Sequence, residues 1–443
     1  MNRKRSKYRP QLPPARLAAI EALASCLDRG VDIQAALDAA LTPTDDGDVP
    51  DQRDAALATE LAYGYLRLRL RLDYVLNEHL KAPHKLPRAM RLALGVAAFE
   101  ILYLDRVPEY ASVDWCVHHI KSDISSRLSG VANAVLRSVA RLGAEANRHD
   151  YYRQDKPDRD EFLSRYYSCP VWMVKLWRKA YGERKTVALL HASTQAPPLG
   201  LRFDFSRPGA REAHRQLLLD ESCKASTATG VALAASTPIS MAAERDGFAV
   251  RQSLAGQEAL LALGAENWGR PLWDACCGRG GKTLLLHGLG GGPITASDMN
   301  AERLRGLSAL LAQRGITEDV AVVRARADEP APFQWTFPVI LLDAPCSGLG
   351  VLSRRPDAKY RRTRKDVTEL AALQARILDN AWRALEPGGL LAYVTCTMTP
   401  QENEQQIDAF VQRTSDASIE TTWRTPEDTP LREFFYGAAL RKA

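Results

Sequence analysis

The chain reads as an all-helical domain, then a small mixed α/β subdomain, then a doubly wound α/β domain on a parallel sheet. Three observations predict this. Residues 15 to 145 carry apolar side chains at helical spacing with no competing strand alternation. Residues 161 to 265 join a long helical stretch to short alternating runs punctuated by Pro and Gly. Beyond residue 270, short apolar runs end in Gly or polar residues and alternate with helical stretches, the order that builds a parallel sheet.

In the first part, Leu17, Ile20, Leu23 and Leu27 mark one helix, and Leu57, Leu61, Tyr65, Leu68 and Leu72 another. The polar insert TPTDDGDVPDQRD separates them and supplies helix-start chemistry. LPRAMRLALGVAAFEILYL follows, broken at Val107-Pro108, and then ASVDWCVHHIKSD and VANAVLRSVARL. The charged stretch NRHDYYRQDKPDRD reads as a linker. Domains are therefore expected at 1–147, 161–265 and 266–443.

The length of 443 residues admits two to four domains, and 46% hydrophobic with 25% charged residues excludes wholesale disorder and fibrous repeats. The most apolar stretch, Leu92 to Leu104, contains Glu100, so no spanning helix is expected. The basic, Pro-rich start offers no secretory segment, and a cytoplasmic location is expected. Eight cysteines are too sparse for a disulfide framework and lack zinc spacing, so no metal is expected. The net charge of +6 is modest, but two basic runs stand out: Arg3, Lys4, Arg5, Lys7 and Arg9, and Arg354, Arg355, Lys359, Arg361, Arg362, Arg364 and Lys365 with Tyr360 among them. The second is expected to hold an RNA backbone through its phosphates.

The strand runs of the last domain are PLWDACC, PITASD, VAVVRAR, FPVILLDAP and GLLAYVTCT, and ligands of such folds bind beyond the carboxyl ends of the strands. The first ends in Asp274-Ala-Cys-Cys-Gly-Arg-Gly-Gly-Lys-Thr283, where glycines allow close backbone approach to a ligand. Its spacing fits neither G-x-G-x-x-G nor the phosphate loop. Asp298 follows 24 residues after Asp274, near the spacing at which an acid binds ribose hydroxyls. A ligand with ribose and no phosphates, such as S-adenosylmethionine, suits that pair of features. Cys346 and Cys396 end two neighbouring runs; either alone reads as inert core, but both at the ligand edge point to thiol chemistry.

DQRDAALATELAYGYL, RLALGVAAFEILYLDRVPEYASVDWCVHHIK and SGVANAVLR resemble the NusB-type RNA-binding helical domain. DACCGRGGKT resembles the D-A-C-A-A-P-G-G-K-T loop of the RNA cytosine-C5 methyltransferases related to the Fmu/Sun protein, with Cys277, Gly278 and Arg279 as departures. The resemblance implies a Rossmann-like S-adenosylmethionine-dependent methyltransferase domain behind the NusB-like domain and a small RNA-binding subdomain. It carries cofactor contacts onto Cys276, Cys277, Gly278, Arg279, Gly280, Gly281, Lys282, Asp298, Asp328 at the adenine, and Asp343. Arg279 in place of proline implies weaker cofactor affinity, since it frees the loop and adds a cation near a sulfonium.

Methylating carbon 5 of cytosine needs a thiolate to add at carbon 6, and a carboxyl near N3, here Asp343, favours the addition. The spacing leaves open which cysteine attacks. The DNA enzymes would nominate Cys346; the resembled RNA family places the nucleophile in T-C-S, hence Cys396, with Cys346 assisting release. Lys282 is a candidate for favouring the thiolate. The combination of domains resembles the branch acting on small-subunit ribosomal RNA, at a single-stranded or unfolded region because the base must be unstacked. Ser253 stands at a usual Asp, and REFFYGAALRKA lacks an Asp-Gly before its paired Phe. Two other readings stay open: an RNA-binding assembly factor with a decayed catalytic half, and the same chemistry on tRNA.

Overall fold

The computed structural model describes residues 13–42 and 51–443. The basic run Arg3 to Arg9 and most of the insert before Asp51 lie outside the described residues. The chain divides into two compact units, Met1–Lys175 with Arg355–Arg361, and Leu176–Arg354 with Arg362–Ala443.

The first unit is helical: α1 (Pro14–Arg29), α2 (Ile33–Leu41), α3 (Gln52–Glu78), α4 (Arg88–Tyr103), α5 (Glu109–His119), α6 (Ser129–Leu142) and α7 (Arg159–Tyr166). Asp32 and Asp51 cap α2 and α3 by accepting from free backbone N–H groups of the first turn. Helices α3 and α4 approach closely because each presents a glycine to a ring of the other. A Cβ on Gly64 would lie 2.0 Å from the Phe99 ring, and one on Gly95 would lie 2.4 Å from the Tyr65 ring. Glu100, the charge that interrupts the most apolar run, is buried and partnered: it accepts from the Trp115 indole at 2.6 Å and pairs with Arg16 at 2.9 Å. A buried carboxylate needs such partners.

The stretch expected as a linker belongs to this unit. Tyr152 is fully buried, and its hydroxyl donates to the Ala146 carbonyl at 2.7 Å. Its charges pointed to solvent, but its tyrosines pack: Tyr152 and Tyr166 both lie against the Arg71 guanidinium, which donates to the Tyr166 carbonyl. The unit boundary falls after Lys175, within α8 (Val171–Ala192), which is kinked where Gly182 takes φ 76°.

The second unit opens with a small antiparallel sheet. Its elements are β1 (Leu199–Phe203), α9 (Ala210–Leu218), β2 (Cys223–Thr227), β3 (Gly230–Leu233), α10 (Pro238–Arg245) and β4 (Ala249–Arg251), in sheet order β2-β3-β1-β4. Leu201, Phe203, Leu217, Val231 and Leu233 fill its core.

Next come α11 (Leu254–Ala262), β5 (Leu272–Asp274), α12 (Gly281–Gly290), β6 (Ile294–Asp298), α13 (Ala301–Arg314), β7 (Val320–Arg324) and β8 (Phe337–Asp343). The short α14 (Ala358–Arg361) lies in the helical unit; α15 (Arg364–Arg383), β9 (Leu385–Thr395), α16 (Glu404–Arg413), β10 (Ala417–Arg424) and β11 (Tyr436–Lys442) complete the chain. The sheet order is β10-β11-β9-β8-β5-β6-β7. The five strands β5 to β9 are parallel, as expected, whereas β11 runs antiparallel to β9 and β10 antiparallel to β11. No helix separates β10 from β11, so the chain can only fold back on itself there.

Alternate residues of each strand serve opposite faces. Leu272, Val339, Leu341 and Ala392 pack into one apolar layer with α11 to α13, and Trp273, Ile340, Leu342 and Leu391 into the other with α15 and α16. The order reverses at β5, which sits between β6 and β8, and the crevice beyond its carboxyl end is where the sequence placed the chemistry.

Candidate active site

The loop after β5 is shaped by glycines in the left-handed region, Gly278 at φ 57° and Gly280 at φ 80°. At Gly280 a Cβ would also stand 2.2 Å from the Leu307 side chain, so α13 packs directly over the turn. Asp298, at the end of β6, accepts from the Gly278 N–H at 3.0 Å with one oxygen and from the Asn300 N–H at 2.8 Å with the other. It ties the loop to the next strand, and an ionised carboxylate keeps further acceptor sites for ribose hydroxyls. Asp274 is fully buried; Oδ2 accepts from the Thr283 hydroxyl at 2.7 Å, while Oδ1 has no partner. Burial pushes its pKa up to about 7.

The glycine turn, the Asp298 carboxylate at the strand end and the orphaned Asp274 oxygen together suit a cationic, ribose-bearing cofactor. Cys276 also lies in this loop, and burial followed by the charge of Asp274 raises its thiol well above the ordinary range. Cys277 is buried and likewise raised, so neither is a thiolate. Arg279 is exposed on the loop, and Gly281 opens α12. Asp328 lies after β7, bound to Arg326 at 2.9 Å and near Arg376 at 3.8 Å. Sequence reasoning passed over Met299, exposed directly after Asp298.

Lys282, in the first turn of α12, donates to Asp343 Oδ2 at 2.7 Å, and its ammonium lies 5.7 Å from the centre of the Phe435 ring. Burial opposes its charge, but Asp343, and then Cys396 and Asp274, offset this and hold its pKa above the ordinary value. The lysine therefore acts first on the carboxylate and only then on the thiol.

Strands β8 and β9 are parallel neighbours with Asp343 opposite Val394, which brings the loops following them side by side. The Ala344 N–H donates to Val394 and the Gly350 N–H to the Cys396 carbonyl. The Sγ atoms of Cys346 and Cys396 are 3.3 Å apart. Cys346 is pushed well above the ordinary thiol range, first by its hydrogen bond to Cys396 and then by burial. The two cysteines expected at one site therefore lie side by side.

The second basic run does not form one surface. Lys359 is a correction: it is buried, and its ammonium donates to the carbonyls of Arg67 and Ser168 at 3.1 and 3.0 Å, so it cannot reach a phosphate. Tyr360, among them, donates to the Leu66 carbonyl. Arg355 pairs with Asp32, Arg361 with Asp357 at 2.7 Å, and Arg354 with Glu433 at 2.5 Å. Arg362 donates to the Ser347 carbonyl at 3.2 Å, and Arg364 and Lys365 are exposed at the start of α15. The run is legible as charge, but Arg355–Arg361 folds into the helical unit. Ser253 and the chain end also meet: Ser253 donates to Glu433 at 2.5 Å.

Residues 13–141 match the NusB family, 169–240 the ferredoxin-like domain of RsmF/B-like methyltransferases, and 259–434 the 16S rRNA methyltransferase RsmB/F model. Ribosomal RNA small subunit methyltransferase B of Salmonella arizonae is 32% identical over 412 residues, 88% of this chain and 91% of that protein. The protein of the same name from Escherichia coli O157:H7 is 33% identical over 414 residues, with the same coverage. The chain belongs to the ribosomal RNA small subunit methyltransferase B family. Among solved structures, PH0851 has a TM-score of 0.74 at 22% identity, covering 98% of this chain and all of that one. The structure of NSun6 from Pyrococcus horikoshii with SFG has a TM-score of 0.53 at 17% identity, covering 62% of this chain and 98% of that one. These likenesses carry the fold. Among the described residues no helix is long and apolar enough to cross a membrane, and no group of three or more His, Cys, Asp or Glu side chains could hold a metal ion.

Proposed function

We propose that this member of the family methylates carbon 5 of a cytidine in small-subunit ribosomal RNA, through a covalent bond between Cys396 and carbon 6. The observation that carries the reading is the pair of sulfurs 3.3 Å apart beyond adjacent strand ends, with the Lys282–Asp343 ion pair at the end of β8. S-adenosylmethionine, when bound, supplies an electrophilic methyl on a sulfonium. The turn at Gly278 and Gly280, with Asp298 and Asp274, would hold it; Asp328 would lie toward the adenine.

The Cys396 thiolate, stabilised by the S–H of Cys346, adds to carbon 6 of an unstacked cytosine. Asp343, oriented by Lys282 and entering the step in its acid form, gives its proton to N3 as electron density accumulates there. Once carbon 5 has taken the methyl group, a water molecule entering the crevice accepts its proton, the electrons of that C–H bond form the carbon 5–carbon 6 double bond and expel Cys396 as the thiolate, and the N3 proton returns to Asp343. Cys346, no longer hydrogen-bonded to a free thiolate while the adduct lasts, stands beside the departing carbon to assist that release. Arg364 and Lys365 are left to meet the RNA backbone, with Arg354, Arg355, Arg361 and Arg362 contributing what their protein partners leave exposed.

An RNA fragment carrying 5-fluorocytidine tests the reading, because fluorine cannot leave as a proton. Protein and S-adenosylmethionine should give a denaturation-resistant protein–RNA adduct. A protein that only binds RNA gives none. Bisulfite mapping of ribosomal and transfer RNA from cells with and without the gene then identifies the RNA class.

A further inference from the structure

The residues after Thr397 read MTPQENEQQI, a polar stretch that the proposed mechanism leaves without a role. In the structure, Glu402 and Asn403 are both fully buried and each reaches the residues that flank a cysteine. Asn403 brackets Cys396. Its Oδ1 accepts from the Thr395 hydroxyl at 2.6 Å, and its Nδ2 donates to the Thr397 carbonyl at 2.9 Å. Glu402 serves the other loop: Oε1 accepts from the Ser347 N–H at 2.8 Å and Oε2 from the Ser347 hydroxyl at 2.5 Å.

Two further donors complete the carboxyl group. Gln374 donates from Nε2 to Oε1 at 3.0 Å and to the Pro345 carbonyl at 2.9 Å, and the Thr399 hydroxyl donates to Oε2 at 2.6 Å. The loop Pro345-Cys346-Ser347 is thus held on both sides of its cysteine. A last bond joins the two loops, Ser347 Oγ to Thr397 Oγ1 at 2.7 Å. Because the single Ser347 proton is given to Glu402, Thr397 must be the donor in that bond.

We infer that Glu402 and Asn403 are positioning residues that set the distance between the Cys346 and Cys396 sulfurs, Glu402 through Ser347 and Thr397, Asn403 through Thr395 and Thr397. Neither touches a sulfur atom. Their importance follows from burial: every donor facing Glu402 is sealed from water, so removing the carboxyl leaves several unpaired groups and frees the Cys346 loop to shift. A shift of about 1 Å at a reacting group can cost on the order of a hundredfold in rate. The inference rests on the proposed roles of the two thiols, but the geometry can be read without them.

The test uses the full chain in four forms: wild type, Glu402→Ala, Glu402→Gln and Thr397→Val. The first readout is the rate at which diamide joins Cys346 to Cys396, followed by peptide mass mapping. Two thiols lose two protons and two electrons to the diazene, which becomes the hydrazine, so the rate reports how often the sulfurs meet. The second readout is the single-turnover rate of adduct formation on 5-fluorocytidine RNA, with RNA and cofactor affinities measured alongside. Glu402→Ala and Thr397→Val should slow both rates by about tenfold or more while the affinities hold. Glu402→Gln should stay near wild type, since its amide oxygen can take the two N–H donors and the Ser347 and Thr399 hydroxyls can turn to accept from its NH2.

Wild-type rates in both Glu402→Ala and Thr397→Val would overturn the inference, as would losses that simply follow RNA or cofactor affinity. If Glu402→Ala does not fold, Thr397→Val and Glu402→Gln decide by the same criteria. A wild-type protein that forms the disulfide but no RNA adduct would overturn the proposed function and leave the clamp to be judged by the disulfide rates.

Discussion

The Sγ atoms of Cys346 and Cys396 lie 3.3 Å apart, within hydrogen-bond reach, and that bond, followed by burial, raises the Cys346 thiol well above its ordinary range. In the proposed reaction Cys396 attacks while Cys346 keeps its proton, an asymmetry of role that two equivalent cysteines would lack.

This asymmetry predicts different consequences for the two alanine variants. Cys396→Ala should abolish both turnover and adduct formation. Cys346→Ala should still attack but release slowly, accumulating a protein–RNA species on ordinary cytidine that denaturing gel electrophoresis detects. The opposite pattern would exchange the two roles.

Asp343 should matter to rate more than to binding, because its bond with Lys282 aims it at charge that develops only during addition. Asp343→Asn is expected to lower single-turnover methylation by about 10² to 10⁴-fold, with RNA affinity within a few-fold of wild type. Filter binding and rapid-quench assays separate the two. A matched loss of affinity would place Asp343 in binding instead.

Asp274 supplies a pH dependence whose sign is set by its burial. Its pKa rises from 3.8 in the unfolded chain to about 7 in the folded one, so the folded state holds more protons between those values. Stability from this group is therefore greatest at low pH, falls as pH rises through that window, and is flat above it. Asp274→Asn removes the slope. Thermal unfolding of both proteins from pH 5 to 8 should show the variant gaining on wild type as pH rises; parallel curves would contradict the assignment.

The exposed and the buried members of the second basic run should behave oppositely. Neutralising Arg364 and Lys365 should reduce the slope of log affinity against log salt by about 1.4 for single-stranded RNA, two phosphate contacts at about 0.7 each. Lys359→Met should leave the slope unchanged and lower stability by about 1–3 kcal/mol, because the carbonyls of Arg67 and Ser168 lose their donor. Melting curves and salt titrations on the same preparations check both.

Local pattern was enough for much of this molecule. The apolar runs ending in Asp274, Asp298, Asp343 and Thr395 each became a parallel strand with its polar residue at the carboxyl end. The helical spacing around Leu61 and Tyr65 became α3. Such features depend on neighbours along the chain, and the physics of burying one face of a strand or helix is written in a few consecutive residues.

Partnership between distant side chains was not legible. Nothing local distinguishes Lys359, sealed against two carbonyls, from Lys365, exposed on α15, or the buried Tyr152 from a linker tyrosine. Glu402 stood in a visibly polar segment, yet its four donors come from Ser347, Gln374 and Thr399, brought together only when α15 and the loops after β8 and β9 converge. The primary structure by itself determined the strand ends and the chemical types gathered there. Tertiary packing decided which charges face water and which sulfurs stand side by side, because desolvation and hydrogen bonding act over distances of a few ångströms in space and take no account of separation along the chain.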